Sequence, residues 1–241
     1  MKKNNYSAIF FDAADTLFYI KKGLGKAYSD IANKYGVYHE HKNIETAFSN
    51  SFKSAPPLAF GDAPDVKRRI LEKNWWYEVV KNAFSELGMF DEFDSYFDEL
   101  FEYFRVDAWE LFPDTIDILS FLKMTGLRTA LVSNFDSRVY EVCEVHGILG
   151  YFDVYIISSE VGFAKPSPEI FKITLDRLGV NPENCLHVGD SHSTDVLGAI
   201  SVGIEPVLLD RSGKHADKQN IIIINNLNEL KSILLNKMDR V

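Results

Sequence analysis

The chain has 241 residues, of which 46% are hydrophobic and 25% are charged. This composition excludes a disordered chain, a collagen and a coiled coil, and it is typical of a globular protein. The net charge of −9 argues against a nucleic acid or an anionic membrane as partner, although a metal ion and one lysine could still attract a small phosphorylated molecule.

The lengths of the apolar runs and the number of cysteines predict the cellular location of the protein. No apolar run approaches the roughly 18 residues that a membrane span needs. The apolar stretch behind the first lysines covers only residues 8–11, which is too short for a secretory signal. The two cysteines, Cys143 and Cys185, are too few for a disulfide framework. We therefore expect a cytoplasmic protein with reduced thiols.

The first predicted element is a buried strand at residues 8–11, and the interval that follows it is of a different kind. Residues 19–111 contain no strand-like run, and their aromatic and aliphatic residues recur at helical spacing. Gly36 and Gly88 stand where helices would end. We predict an all-helical unit that is inserted after the first strand and lies over the edge of a sheet as a lid.

The remaining chain alternates between strands and helices. Apolar runs rich in Ile, Val and Leu predict strands at residues 129–132, 154–157, 186–188 and 206–209, with an edge strand at 221–224. Helical patterns lie at residues 137–146, 168–178, 193–202 and 227–238. Ser167-Pro168 and Asn181-Pro182 each place a capping side chain before a proline, which is a start signal for a helix. The alternation predicts an α/β fold with a doubly wound, Rossmann-like parallel sheet, formed by residues 1–18 and 112–241.

Several predicted strands run into polar side chains at their carboxyl ends. Asp12 follows the first strand, Ser133-Asn134 the second, and Gly189-Asp190 the fourth. In an open parallel sheet, ligands bind at this edge, near the point where the strand order reverses. Asp12 and Asp190, with Asp195 a few residues further on, make an oxygen-rich site suited to Mg²⁺. Lys165, just before a helix, can supply positive charge.

Four segments resemble, in their order along the chain, the four motifs of the haloacid dehalogenase (HAD) superfamily. They are Phe10-Phe11-Asp12-Ala13-Ala14-Asp15-Thr16-Leu17, Leu131-Val132-Ser133-Asn134, Gly162-Phe163-Ala164-Lys165-Pro166-Ser167-Pro168-Glu169, and Val188-Gly189-Asp190-Ser191 with Asp195-Val196-Leu197-Gly198-Ala199. The insert at residues 19–111 is similar to the helical cap of that superfamily. The Trp75-Trp76 pair and the Asp-x-x-Asp-Thr-Leu form of the first motif resemble the rhythmically-expressed-gene-two-like branch.

The resemblance implies a hydrolase and gives a role to each motif residue. Asp12 corresponds to the nucleophile, whose aspartyl-phosphate intermediate divides a difficult hydrolysis into two displacements. Ser133 and Lys165 correspond to the catalytic groups that hold the phosphoryl oxygens. Asn134 either binds the phosphate or stabilises its loop.

The resemblance also implies Mg²⁺ as the cofactor. Its ligands would be Asp12, the backbone carbonyl of Ala14 and Asp190, while Asp195 would bind through water or orient the site. The metal would bridge the nucleophile and the phosphate and neutralise developing charge.

The resemblance is incomplete at residue 14. Phosphatases of the superfamily usually carry a second aspartate two residues after the nucleophile as general acid and base, whereas this chain has Ala14 there and Asp15 one residue later. General acid–base catalysis contributes about 10²–10⁴ in rate. We therefore expect a phosphatase for a small phosphorylated metabolite that is weak, or biased towards acyl and aryl phosphates, unless Asp15 or a cap residue supplies the proton.

Two other reactions of the superfamily also occur with a residue other than aspartate at this position. In its phosphonoacetaldehyde hydrolases a cap lysine forms a Schiff base with the substrate, and Lys53 is the candidate here. In its haloacid dehalogenases a cap arginine binds the substrate carboxylate. The cap of this chain has Arg68, Arg69 and Arg105, without a recognisable context, and dehalogenases lack the paired acidic motif that Asp190 belongs to.

A non-catalytic protein that binds phosphate and metal on the same fold is a further alternative, because binding alone would tolerate Ala14. Against it stands the complete set of Asp12, Ser133, Lys165 and Asp190, which binding does not require. No oligomeric state is predicted.

Overall fold

A central parallel sheet and an inserted group of helices make up the fold of residues 6–214 and 221–238, the part of the chain that the computed structural model describes. The strands are β1 (Ala8–Phe11), β2 (Phe18–Ile20), β3 (Trp109–Leu111), β4 (Arg128–Ser133), β5 (Val154–Ile157), β6 (Cys185–Gly189), β7 (Glu205–Leu209) and β8 (Ile222–Ile224). The helices are α1 (Leu24–Ala32), α2 (His41–Ser54), α3 (Asp65–Leu87), α4 (Phe93–Tyr103), α5 (Thr115–Thr125), α6 (Val139–Val145), α7 (Ser158–Val161), α8 (Pro168–Leu178), α9 (Leu197–Ser201) and α10 (Glu229–Met238).

Six strands form the sheet in the order β5-β4-β1-β6-β7-β8, and every neighbouring pair is parallel. The chain moves outwards from β1 to β4 and β5 on one side and to β6, β7 and β8 on the other. The strand order therefore reverses at β1. Both faces of β1 are buried, because Ile9 and Phe11 pack into one hydrophobic cluster while Ala8 and Phe10 pack into another. This arrangement confirms the predicted doubly wound α/β fold.

Helices cover the two faces of the sheet. Buried residues of α5, α6 and α10 share a cluster with Ile9 and Phe11, and those of α8 and α9 share the cluster of Ala8 and Phe10. The insert has a third cluster of its own, drawn from all four of its helices, α1 to α4. We propose that residues 19–111 form a cap domain and that residues 1–18 and 112–241 form the core domain.

The insert differs from the expectation in one respect. Residues 19–111 were expected to be free of strands, whereas the structure has a short antiparallel ribbon at the two ends of the insert, in which β2 pairs with β3. Each of these strands has three residues, which is too short for a period of two to be visible in the sequence. The ribbon brings the two connections between sheet and insert side by side.

Two helix signals led to different local structure. Asn181-Pro182 opens only a single 3₁₀ turn (Pro182–Asn184), because β6 begins at the next residue. The helical pattern at residues 193–202 divides into a π-helical turn (His192–Val196) followed by α9. Such turns occur frequently at functional sites, and this one contains Asp195.

Features that bear on location are few. In residues 6–214 and 221–238 we find no helix whose length and apolar character would let it cross a membrane. Cys143 and Cys185 are buried free thiols, and burial raises the pKa of each to about 12. They therefore behave as small core residues. The cytoplasmic location stays a prediction.

Gly189, the last residue of β6, has no room for a side chain. A β-carbon there would lie 2.2 Å from the Asp195 side chain, whereas one on Gly150 would have no atom within 4 Å. We expect Gly189→Ala to lower the free energy of unfolding by about 1–3 kcal/mol through overpacking, measured by urea denaturation. Gly150→Ala is the matched control and should change it by less than about 0.5 kcal/mol. Equal stabilities of the two variants would contradict this account.

Candidate active site

The register of the central strands places three predicted site residues at one edge of the sheet. Phe11, the last residue of β1, pairs in register with β4 on one side and β6 on the other. Asp12 follows directly, Ser133 ends β4, and Asp190 follows β6. Because parallel strands end at the same edge, all three lie at the carboxyl end of the sheet, where the strand order reverses.

Asp12 is held in one orientation by two side-chain donors. Its Oδ1 accepts a hydrogen bond from Ser133 Oγ at 3.0 Å and one from Lys165 Nζ at 2.7 Å. Asp12 is only 8% exposed. Burial raises the pKa of its carboxyl group above the usual value, and the charge of Lys165 acts in the opposite direction. The site thus presents one oriented carboxylate beside a buried cation.

Lys165 lies in the loop between α7 and α8, and Asn134 holds its backbone there. Asn134 Nδ2 donates to the Lys165 carbonyl at 2.8 Å, and the Lys165 N–H donates to Asn134 Oδ1 at 2.7 Å. These bonds give Asn134 the loop-stabilising role that its sequence position allowed, while a contact with phosphate stays a prediction. These two hydrogen bonds fix the Lys165 backbone and so limit the positions that its ammonium group can occupy.

Asp195 is the second partner of Lys165. Its Oδ1 accepts from Lys165 Nζ at 2.5 Å and from His187 Nε2 at 3.0 Å, and its Oδ2 accepts from the Ser191 N–H at 3.0 Å. Burial favours a neutral carboxyl group, but the charge of Lys165 and the His187 bond outweigh it and hold the pKa of Asp195 well below its usual range. Asp195 is therefore an anion that orients the lysine.

Burial disfavours the charged form of both His187 and Lys165, but the net shift of the pKa differs between them. Burial lowers the pKa of His187, so its imidazole is neutral and Nε2 carries the proton donated to Asp195. For Lys165, burial acts against the charge, but Asp12 and Asp195 together raise its pKa above the usual value. Lys165 thus remains a cation.

Three carboxylates gather around that single cation. Asp12, Asp190 and Asp195 each offer an oxygen within 4.8 Å of the others. Burial, followed by the charges of Asp12 and Asp195, raises the pKa of Asp190 to about 8. The cluster therefore carries more negative charge than Lys165 balances, and an oxygen-rich, partly buried set of this kind fits a divalent cation such as Mg²⁺. Both oxygens of Asp195 already accept from protein donors, which favours an orienting role for it.

Ala14 and Asp15 follow Asp12 closely in the chain and line a cavity of about 220 Å³ between the sheet edge and the insert. Ala14 is half-buried, and its carbonyl as a metal ligand stays a prediction. Asp15 adopts a left-handed conformation with φ 60°, and its N–H donates to the Phe18 carbonyl at 2.7 Å. Crowding by protein atoms and the negative charge of Asp12 raise the pKa of Asp15.

An arginine of this cavity escaped the sequence reasoning. Arg138 lines the cavity and forms a two-point ion pair with the fully buried Asp136, through Nε at 2.9 Å and a terminal nitrogen at 2.7 Å. The signal that could have found it is the Asp-x-Arg sequence directly after the second motif. Asp136 also accepts a hydrogen bond from Trp76 Nε1 at 2.5 Å, so the pair fastens the insert to the core.

The residues considered for other chemistry lie elsewhere. Among the described residues, the cavity lining includes neither Lys53 nor the three arginines of the insert. Lys53 is exposed on α2. Arg68 pairs with Asp65, and Arg105 pairs with two glutamates. In the described part of the chain, the cavity therefore lacks the lysine and the arginines that the two alternative reactions would use.

Comparison with known proteins agrees with this geometry. The sequence profile of haloacid dehalogenase-like hydrolases matches residues 6–203. Haloacid dehalogenase-like hydrolase domain-containing protein 3 of Danio rerio is 30% identical over 239 residues, 96% of this chain and 97% of the relative. Rhythmically expressed gene 2 protein of Drosophila melanogaster is 24% identical over 217 residues, 86% of this chain and 84% of the relative. The crystal structure of a HAD phosphatase from Thermococcus onnurineus is 29% identical, with a TM-score of 0.66, and the match covers 95% of this chain and 97% of that one. The chain belongs to the haloacid dehalogenase-like hydrolase family, in the branch that includes the Drosophila protein.

Proposed function

We propose that this protein is a Mg²⁺-dependent phosphatase for a small organic phosphate. The observation that carries the proposal is the setting of Asp12. Its Oδ1 accepts hydrogen bonds from Ser133 and Lys165, and one of its oxygens lies within 4.8 Å of an oxygen of each of the other two carboxylates. A carboxylate held in this way can attack phosphorus. The related Thermococcus protein, described as a HAD phosphatase, supports the same reaction class.

The reaction has two displacements. Asp12 forms a bond to phosphorus while the bond between phosphorus and the leaving-group oxygen breaks, which gives an aspartyl-phosphate. In the second step, a water oxygen forms a bond to phosphorus while the bond between phosphorus and Asp12 breaks. Both water protons leave with the inorganic phosphate, and Asp12 is again a carboxylate. Ser133 and Lys165 hold the phosphoryl oxygens in both steps, and the lysine charge reduces the repulsion between Asp12 and an anionic substrate.

The acidic cluster would hold the metal through Asp12, the Ala14 carbonyl and Asp190, with Asp195 keeping Lys165 in position. When bound, Mg²⁺ neutralises charge on the phosphoryl group. The alanine side chain at position 14 cannot protonate a leaving group, so the reaction depends on how well that group departs as an anion. We infer a preference for acyl and aryl phosphates.

Hydrolysis of three phosphates tests the proposal. Acetyl phosphate, p-nitrophenyl phosphate and glycerol 1-phosphate differ in how readily the leaving group departs, and kcat/KM for the glycerol ester should be about 10²–10⁴ lower than for the first two. Activity should require Mg²⁺ and fall to background in Asp12→Asn, whereas Asp91→Asn, at an exposed site, should behave as wild type. Activity that survives Asp12→Asn would refute the mechanism, and equal rates on all three esters would refute the preference.

Restoring a carboxyl group at position 14 tests the missing proton donor. Because Ala14 lines the cavity beside the nucleophile, we expect Ala14→Asp to raise kcat on glycerol 1-phosphate by as much as about 10²–10⁴, with a smaller gain on acetyl phosphate. Ala14→Asn is the matched control, since it has the same shape and no proton to transfer. An equal gain from asparagine would contradict the explanation.

The raised pKa of Asp190 predicts how metal binding depends on pH. A carboxyl pKa of about 8 in the folded state, against an ordinary 3.8, gives stability that is complete below about pH 4 and lost as the pH rises through about 8. Mg²⁺ must displace that proton. The rise in Tm caused by Mg²⁺, measured by thermal unfolding, should therefore be larger at pH 8.5 than at pH 6.

Asp190→Asn should remove this difference, and the exposed Asp91→Asn should keep it. A Mg²⁺ effect on Tm that is the same at both pH values in the wild type would count against a metal site at Asp190.

A further inference from the structure

The cavity beside Ala14 lies where the leaving group of a substrate must go. In a displacement at phosphorus, the attacking and leaving oxygens are roughly in line, so the leaving group points away from Asp12. The lining includes Ala14 and Asp15, which come shortly after Asp12 in the chain, and Asn134, which directly follows Ser133. A phosphoryl group at Asp12 therefore directs its substituent into this space.

The lining of the cavity is mostly apolar and aromatic. All four helices of the insert contribute, together with the segments that follow β1 and β4. Its rings include those of Phe48, Phe52, Trp76, Phe97, Phe101 and Trp109. The volume is about 220 Å³, and an apolar cavity of about 150 Å³ is enough for benzene. The space therefore suits one aromatic ring with a substituent, or a small fused pair.

The polar groups in the lining are largely engaged within the protein. The Arg138 guanidinium pairs with Asp136, donates to the Phe101 carbonyl at 3.3 Å, and stacks on the Phe101 ring at 4.0 Å. The indole N–H groups donate as well, that of Trp76 to Asp136 and that of Trp109 to the Phe104 carbonyl.

These contacts limit what the cavity can accept. An anionic substituent would meet Asp15 in the lining and an arginine that is already neutralised by Asp136. The hydroxyl groups of a sugar would lose water and find few partners, among them the Tyr28 hydroxyl, and burying a polar group without a hydrogen bond is unfavourable. An uncharged, flat and apolar group would replace water against aromatic faces at no such cost.

We infer that this cavity binds the leaving group of the substrate and selects an uncharged aromatic alcohol or phenol. The inference rests on the proposed function for the identity of the reacting group, but the preference for an aromatic ligand can be measured separately. Ala14 supports it independently, because a phenol leaves as a stable anion and needs little protonation. The missing proton donor and the apolar cavity thus point to the same class of ester.

Two aryl esters distinguish the effect of binding in the cavity from the effect of the leaving group on the chemical step. Phenyl phosphate and 2-naphthyl phosphate both release a phenolate-type anion, but the second fills more apolar space. We expect kcat/KM for 2-naphthyl phosphate to be at least about tenfold higher, which is the scale that an apolar pocket gives to a few carbon atoms. Binding of 2-naphthol alone, measured by isothermal titration calorimetry, provides a readout that needs no turnover.

Filling the cavity should remove the preference. Leu24, the first residue of α1, lines the cavity and is half-buried. Leu24→Trp should therefore reduce the naphthyl-to-phenyl ratio of kcat/KM to about one and weaken 2-naphthol binding by tenfold or more. Val66→Trp adds the same ring at a position that is 78% exposed and outside the lining, and should leave both readouts as in wild type. Ile20→Trp, on the neighbouring strand β2, provides a second filling variant if Leu24→Trp does not fold.

The outcomes distinguish the inference from the proposed function. Hydrolysis of acetyl phosphate without any aryl preference, and with no binding of 2-naphthol, would overturn the inference and leave the phosphatase proposal standing. Binding of 2-naphthol that Leu24→Trp abolishes, without hydrolysis of any ester, would support the cavity as an aromatic site and overturn the phosphatase proposal. A preference that both filling variants leave intact would show that the ring binds elsewhere.

Discussion

The ammonium group of Lys165 lies buried between Asp12 and Asp195, and the arrangement of the site depends on it. Taking an ion out of water costs several kcal/mol, which is offset only where partners are close and well oriented. Both carboxylates lie within 2.7 Å of the ammonium nitrogen. Asn134 fixes the lysine backbone, and His187 fixes one of the two carboxylates. Asp12 and Asn134 directly follow strands of the parallel sheet and His187 lies within β6, so the sheet positions most of the groups around the lysine.

Under the proposed function, the same electrostatics favour the joint binding of a cation and an anion from outside the protein. The negative charge that the three carboxyl groups of Asp12, Asp190 and Asp195 can carry is larger than the single positive charge of Lys165. This excess of negative charge would repel a phosphate dianion. A divalent cation reverses the balance, and the phosphoryl group then completes it. Burial raises the pKa of Asp190 to about 8. This raised pKa is in part a consequence of the same excess of negative charge, because a proton on Asp190 takes the place that a metal ion would occupy. Under the proposed function, we expect such a site to bind metal and phosphate more readily together than singly.

The sequence predicted the parts of the site that topology determines. Asp12, Ser133 and Asp190 follow apolar runs, and parallel pairing alone brings the ends of such strands together. It did not predict the cavity, since helical spacing shows which face of a helix is buried and not whether that face meets another surface closely or leaves a space. The ion pair of Asp136 and Arg138 was missed for a similar reason. Its importance comes from its burial under the insert, which the sequence pattern does not show. Strands of three residues, such as β2, are too short to carry a period.

The segment that follows β4 connects the chemistry to the insert. Asn134 holds the Lys165 loop, Asp136 accepts the indole N–H of Trp76, and Ser137 donates to the buried Glu72 of α3 through both its backbone and its side chain. A phosphate alone would contact only the sheet side of this segment, whereas an apolar leaving group would touch the segment and the insert together. Binding of such a group would therefore stabilise the packing of the insert against the core roughly in proportion to the apolar area that it buries. In this arrangement, an apolar leaving group in the cavity would contact both the core and the insert, next to the phosphate that reacts in the proposed function.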